Sequence, residues 1–154
     1  MCIRIVVLVT VLLASGVAEG EPRPLVVVVA KGSTVKNLTR TELKRCFTSS
    51  PVVIDGERLV PFNYPPGTAE RVAFDRLILG MSPEEVGRFW VDRKIRGESA
   101  APRALPSVLH VVKIVAKFPA AVSYIPADQV TADLVIVAID GVLPGAAGYL
   151  LRPR

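Results

Sequence analysis

The run Leu25–Ala30, LVVVVA, narrows the fold more than any other stretch of the chain. Six consecutive apolar residues, most of them β-branched, leave no polar face, so a strand built from them must be covered on both sides. That calls for a parallel or mixed sheet with helices packed against it. Leu134–Ile139, LVIVAI, has the same character. Shorter extended segments are expected at Val52–Ile54, at 59–62 and at 121–125. At 154 residues the chain is long enough for one domain with a real core.

The helices between these strands announce themselves by their starts. Thr39 and Glu42 have capping-box spacing, with Leu38 and Leu43 placed as a hydrophobic staple. Leu43, Cys46 and Phe47 then share one apolar face. Ser82 and Glu85 repeat the capping box, with Pro83 at the first helical position, where a missing amide costs nothing. Val86, Phe89 and Trp90 are expected to form that helix's buried face, and Arg93, Lys94 and Arg96 crowd its end, where cations complement the dipole. Ser107 caps a further helix carrying Val108, Val111, Val112 and Val115. Asp55-Gly56 and Asp140-Gly141 are turn signals. Residues 141–154, broken by Pro144, Gly145, Gly148 and Pro153, read as an extended tail. The order β-α-β-β-α-α-α-β-β predicts an α/β sandwich with one mixed sheet flanked by helices.

The stretch 60–80, VPFNYPPGTAERVAFDRLILG, is where a ligand would sit. A strand ends at Pro65-Pro66-Gly67, because two successive prolines remove two amide donors. Thr68 is a good N-cap, and Ala69, Val72, Ala73, Leu77 and Ile78 follow at helical spacing. Gly80 suits the helix end. A helix starting there points unpaired amides and the positive end of its dipole at the space above the turn, a generic anion site.

Residues 1–18 read as a secretory signal peptide. Arg4 supplies the positive start, residues 5–13 an apolar run broken only by Thr10, and Gly16-Val17-Ala18 the small cleavage residues. The run is shorter than the ~20 residues that span a bilayer, so no stable membrane insertion is expected after cleavage. Residues 19–154 would form the domain, in a periplasmic or secreted setting. The net charge of +5 falls by one with Arg4. No run of basic residues or aromatic platform suggests nucleic acid. Cys46 is then the only thiol; no internal disulfide can form, and its helix face reads as buried. One histidine and scattered carboxylates make no metal set. No nucleophile elbow, P-loop or dinucleotide fingerprint is present, and no cofactor is implied. His110 has no partner nearby in sequence. The chain is therefore not expected to be an enzyme.

The order of short motifs resembles the phosphate-binding proteins of ABC transporters, the periplasmic substrate-binding-protein-like domain. The likeness rests on Leu38-Thr39-Arg40-Thr41-Glu42-Leu43 with Phe47, on Asp55-Gly56 and Leu59-Val60-Pro61, and on Gly67-Thr68 with Phe74. It continues through Leu79-Gly80, Phe89-Trp90, Arg96-Gly97, the segment 119–124, and Ile139-Asp140-Gly141 with Pro144-Gly145. The resemblance covers almost all of the chain after the leader. It implies one lobe of a type II periplasmic-binding-protein-like sandwich.

In that family an anion is held between two lobes, one of which offers an Arg-x-x-x-Ser-Gly-Thr segment at a helix start. Gly67 and Thr68 match its Gly-Thr, whereas Phe62 stands in the place of the arginine and Pro66 in that of the serine. The resemblance thus implies phosphate or another small oxyanion as ligand, in association with a membrane transporter. Gly67 and Thr68 would be donors, with Arg71, Lys31 and Ser33 completing the candidate set. Arg71 reads equally as a solvated charge. The alternative is an interaction module of the cell envelope that has lost ligand binding, with the tail as an exposed docking segment.

Overall fold

The computed structural model describes residues 23–49 and 52–152. The leader expected over residues 1–18, with Cys2, lies outside the described residues. Seven strands form one mixed sheet: β1 (Leu25–Ala30), β2 (Asn37–Leu38), β3 (Val52–Ile54), β4 (Glu57–Asn63), β5 (Arg103–Ala104), β6 (Ala121–Pro126) and β7 (Leu134–Ile139). Their order is β2-β7-β1-β6-β4-β3, with β5 added beside β4. The helices are α1 (Arg40–Thr48), α2 (Ala69–Phe74), α3 (Pro83–Ile95) and α4 (Val108–Lys117). Residues Asp75–Leu79 continue α2 as a π-helical segment.

Every residue of β1 is buried, as its composition requires. Its two neighbours, β6 and β7, nevertheless both run antiparallel to it. The parallel pairs lie further out, at β2–β7, β4–β6 and β4–β5. An all-apolar run therefore reports cover on both faces, not strand direction.

Local chemistry fixes the element ends. Thr39–Glu42 and Ser82–Glu85 are full reciprocal capping boxes, and the Ser107 hydroxyl accepts from the His110 amide at the head of α4. Asp55 and Gly56 both take positive φ, so this pair makes the tight turn that joins β3 to β4 in register. Asp140 and Gly141 do the same after β7, and the Asp140 carboxylate accepts from the first amide of α1.

The core between sheet and helices is aromatic at its centre. Phe74 stacks on Tyr124 with ring centroids 3.9 Å apart, and Phe47 leans on both rings. Cys46 is buried beside them, and burial pushes its thiol up to about 12. Iodoacetamide at mildly alkaline pH should leave Cys46 unmodified in the native protein and label it on unfolding. Peptide mass mapping reads this directly; labelling of the native state at the rate of a free thiol would contradict the seating of α1.

Two expectations are corrected here. Of the face assigned to α3, only Val86 is buried; Phe89 and Trp90 are half-buried, and Ile95 is 79% exposed. Arg93 lies over the Phe89 ring, 5.2 Å from its centroid, and shields that face. The tail is the second correction. Tyr149 and Leu151 are buried in the same core as β1, and the Leu151 carbonyl accepts from the Leu25 amide at 3.1 Å. Residues 149–151 therefore close the fold, while most of 141–148 is exposed, so the tail is not free along its whole length.

Gly87 sits inside α3, where a glycine costs about 0.5–1 kcal/mol relative to alanine. A Cβ added there would meet nothing within 4 Å. Gly87→Ala should raise stability by about that amount, seen as a higher urea midpoint with an unchanged slope; a lower midpoint would show a contact that the space around Gly87 does not contain.

Candidate ligand-binding site

β4 delivers the chain to the turn at Pro65–Thr68. Asn63 fixes the end of the strand: its side-chain oxygen accepts from the Tyr64 amide at 2.9 Å and from the Tyr124 hydroxyl. The Ser123 hydroxyl donates to the Phe62 carbonyl at 2.8 Å. Gly67 takes φ +85°, which only glycine adopts without strain, and so lets the chain swing from the prolines into α2.

Thr68 occupies the N-cap position, but its hydroxyl donates to the Pro65 carbonyl at 3.0 Å and caps no amide of the helix. The head of α2 therefore has no side-chain cap. Position and cap are separable: the two prolines leave the Pro65 carbonyl within reach, and the hydroxyl takes it.

Arg71 is not a solvated charge. Its Nε donates to Asp75 Oδ2 at 2.9 Å and its Nη1 to the Tyr64 carbonyl at 2.8 Å. The two side chains are 7% and 4% exposed. Burial pushes the Asp75 carboxyl up, while the Arg71 guanidinium pulls the other way. Asp75 Oδ1 is buried without a hydrogen-bond partner among the described residues, at a cost of about 1–3 kcal/mol unless a donor reaches it. Asp75 is also the first residue of the π-helical segment, a feature concentrated at functional sites.

Lys31 and Ser33 are not near this turn. β1 runs antiparallel to β6 while β4 runs parallel to it, so the end of β1 lies beside the start of β4 and away from its end. Ser33 is buried there and donates to Glu57 Oε2 at 2.7 Å. Lys31 pairs its amide with the Asp133 carbonyl on the same side. Of the five residues proposed from sequence, Gly67, Thr68 and Arg71 come together, and Lys31 and Ser33 do not join them.

Three arginines gather along the other flank of α2. A groove of about 1220 Å³ follows one flank of α2 from Ala69 to Leu77, with Gly148, Tyr149 and Leu150 as its other wall. Arg40, Arg76 and Arg152 line it, and no carboxylate does. None of the three enters an ion pair among the described residues. Arg40 Nη2 donates to the Leu77 carbonyl at 3.0 Å, which steadies it against the π-helical segment. Glu84 lies near enough to Arg76 to feel its charge. Sequence reading missed this trio because the residues come from three separate elements, and only the returning C-terminal segment joins them.

No protein-family model matches the chain, and no curated protein does. Solved structures do match. An ABC-type phosphate transport receptor from Vibrio cholerae superposes with a TM-score of 0.64 at 19% identity, over 79% of this chain and 48% of the receptor. The chain has the fold of one lobe of such a receptor. A phosphate ABC transporter substrate-binding protein from Clostridium perfringens, solved with bound phosphate, gives 0.63 at 19% identity over 79% and 46%. PstS from Borrelia burgdorferi gives 0.57 at 14% identity over 79% and 49%. The chain spans about half the length of these receptors. The arginine-lined groove runs along α2 from Ala69, while Pro66 and Gly67 of the turn line a separate cavity with Arg71 and Trp90. No described helix is long and apolar enough to cross a membrane.

Proposed function

We propose that the protein is a binding protein that takes phosphate or another small oxyanion in the groove along α2, in association with transport. The observation that carries this reading is the groove beside Ala69, lined by Arg40, Arg76 and Arg152 without a carboxylate. Three guanidinium groups lining one groove form a field that favours a compact anion, and arginine suits the fork geometry of an oxyanion. The likeness of fold to phosphate receptors supports the same reading. Gly67 and Thr68 shape the turn. Arg71 serves the site indirectly, because its charge is spent on Asp75 and Tyr64. The leader-like residues 1–18 support a periplasmic or secreted setting, and a transporter or envelope protein as partner.

A second reading is an interaction module of the envelope that has lost ligand binding. Phe62 in place of an arginine and the inward-turned Arg71 favour it.

Isothermal titration of the chain with phosphate separates the two. Arg76→Ala and Arg152→Ala should each weaken phosphate binding about tenfold, the equivalent of ~1.4 kcal/mol, and Lys31→Ala should leave it unchanged. Equal affinity in all three variants, or no heat in any of them, would remove the arginine groove as the site.

A further inference from the structure

The arginine groove is larger than a bare oxyanion needs. Its volume of about 1220 Å³ is on the scale of sites that house drug-sized ligands, and inorganic phosphate fills a small part of it. The walls also change character along their length. Arg76 precedes Leu77 in the chain, and Arg40 donates to the Leu77 carbonyl at 3.0 Å, so two of the arginines belong to the Leu77 end. Toward the start of α2 the same wall offers Ala69 and Ala73, and Leu150 is apolar on the facing wall.

Charge and apolar surface in one groove make separate demands on a ligand. No carboxylate lines it, and Arg40, Arg76 and Arg152 enter no ion pair among the described residues, so their charge is uncompensated there. The bond to Leu77 holds Arg40 in place before a ligand arrives. A bare oxyanion satisfies the guanidinium groups but leaves Ala69, Ala73 and Leu150 in water. An oxyanion that carries an apolar body satisfies both, because apolar surface removed from water adds affinity in proportion to its area. A phosphate monoester carries about two negative charges at neutral pH, and its oxygens suit guanidinium forks.

We propose that the groove binds a phosphate monoester with an apolar organic group, its phosphate at Arg40 and Arg76 and its organic group against Ala73 and Leu150. The inference rests on the oxyanion reading above and narrows it from a free anion to an esterified one. Ala73 lies three positions ahead of Arg76 along α2 and its π-helical continuation. That is close to one helical turn, a rise of about 5 Å, which a small aryl or alkyl ester spans.

Isothermal titration of the full chain with inorganic phosphate, methyl phosphate and phenyl phosphate reads the organic group directly. Affinity should rise in that order, with phenyl phosphate at least about tenfold tighter than inorganic phosphate. Ala73→Leu narrows the apolar wall and should cut the phenyl advantage to about twofold, and Arg76→Ala should weaken binding of all three phosphates. Equal affinity for phenyl and inorganic phosphate would overturn the proposal and leave the oxyanion reading in place. An undiminished phenyl advantage in Ala73→Leu with parent-like circular dichroism, or phenyl phosphate binding untouched by Arg76→Ala, would overturn it as well. No heat with any of the three phosphates would remove the oxyanion reading and this inference with it. The probe series needs no substitution, so it decides the matter even where Ala73→Leu disturbs α2.

Discussion

Replacing Asp75 by alanine should cost about 3–5 kcal/mol of stability, read as a lower urea midpoint. The size follows from where the residue sits. Its partner Arg71 is a helical turn away, the pair is 2.9 Å apart, and both side chains are almost wholly buried. Taking away one member leaves an uncompensated charge in the core. Arg71→Ala should cost a similar amount and also strand the Tyr64 carbonyl, which accepts from Nη1. The double replacement Arg71→Met with Asp75→Leu should recover most of the loss, because a buried pair gains little over apolar groups of similar volume. A double variant as unstable as the sum of its parents would show that the pair is not the interaction at stake.

The pH dependence of this pair has a definite sign. Burial raises the Asp75 carboxyl in the folded state above its ordinary value, against the pull of Arg71. The native chain therefore keeps that proton to higher pH than the unfolded chain does. The stability contributed by Asp75 is complete below the ordinary carboxylate range and falls as the pH climbs through the raised folded value. Asp75→Asn should remove that fall from a plot of urea midpoint against pH. A fall of unchanged depth in Asp75→Asn would assign it to another group.

The second large effect concerns the end of the chain. Leu151 is fully buried, and its carbonyl accepts from the first amide of β1. Leu151→Ala should cost about 2–5 kcal/mol, the range for a buried leucine whose site cannot collapse. A stop after Gly148 should prevent stable folding, because it removes Leu151 together with Tyr149, the other buried side chain of that segment. Both are read by urea denaturation monitored through far-ultraviolet circular dichroism. An unchanged midpoint in Leu151→Ala would restore the exposed tail that the sequence suggests.

What was legible in this sequence was what nearest neighbours decide. Thr39–Glu42, Ser82–Glu85 and Asp55-Gly56 each carry their own hydrogen bonds or backbone angles, and all three form as read. The α/β class followed from LVVVVA, since burial on both faces needs no knowledge of partners. Strand direction did need it, and β1 has two antiparallel neighbours. The tail was illegible for a related reason. Pro144, Gly145 and Gly148 mark irregular backbone, and irregular backbone says nothing about whether Tyr149 and Leu151 find a core.

Gly67 and Thr68 take the turn and N-cap positions read from the sequence because turn chemistry is local, yet the Thr68 hydroxyl went to the Pro65 carbonyl. Arg71 was open between ligand contact and solvated charge. The i,i+4 carboxylate at Asp75 was the signal that could have settled it, because Phe74 and Ile78 on the same helix mark an apolar surround. Lys31 and Ser33 were read as completing the same site, and only the sheet order shows them near the start of β4, away from the turn at its end.

The most direct test of the oxyanion reading is the thermal midpoint of the protein in phosphate, sulfate and chloride at matched ionic strength. A ligand that binds only the folded state raises the midpoint by mass action. A rise specific to phosphate, lost in Arg76→Ala, is the predicted result. The same midpoint in all three salts would contradict it and leave the receptor-like lobe as a scaffold for protein partners.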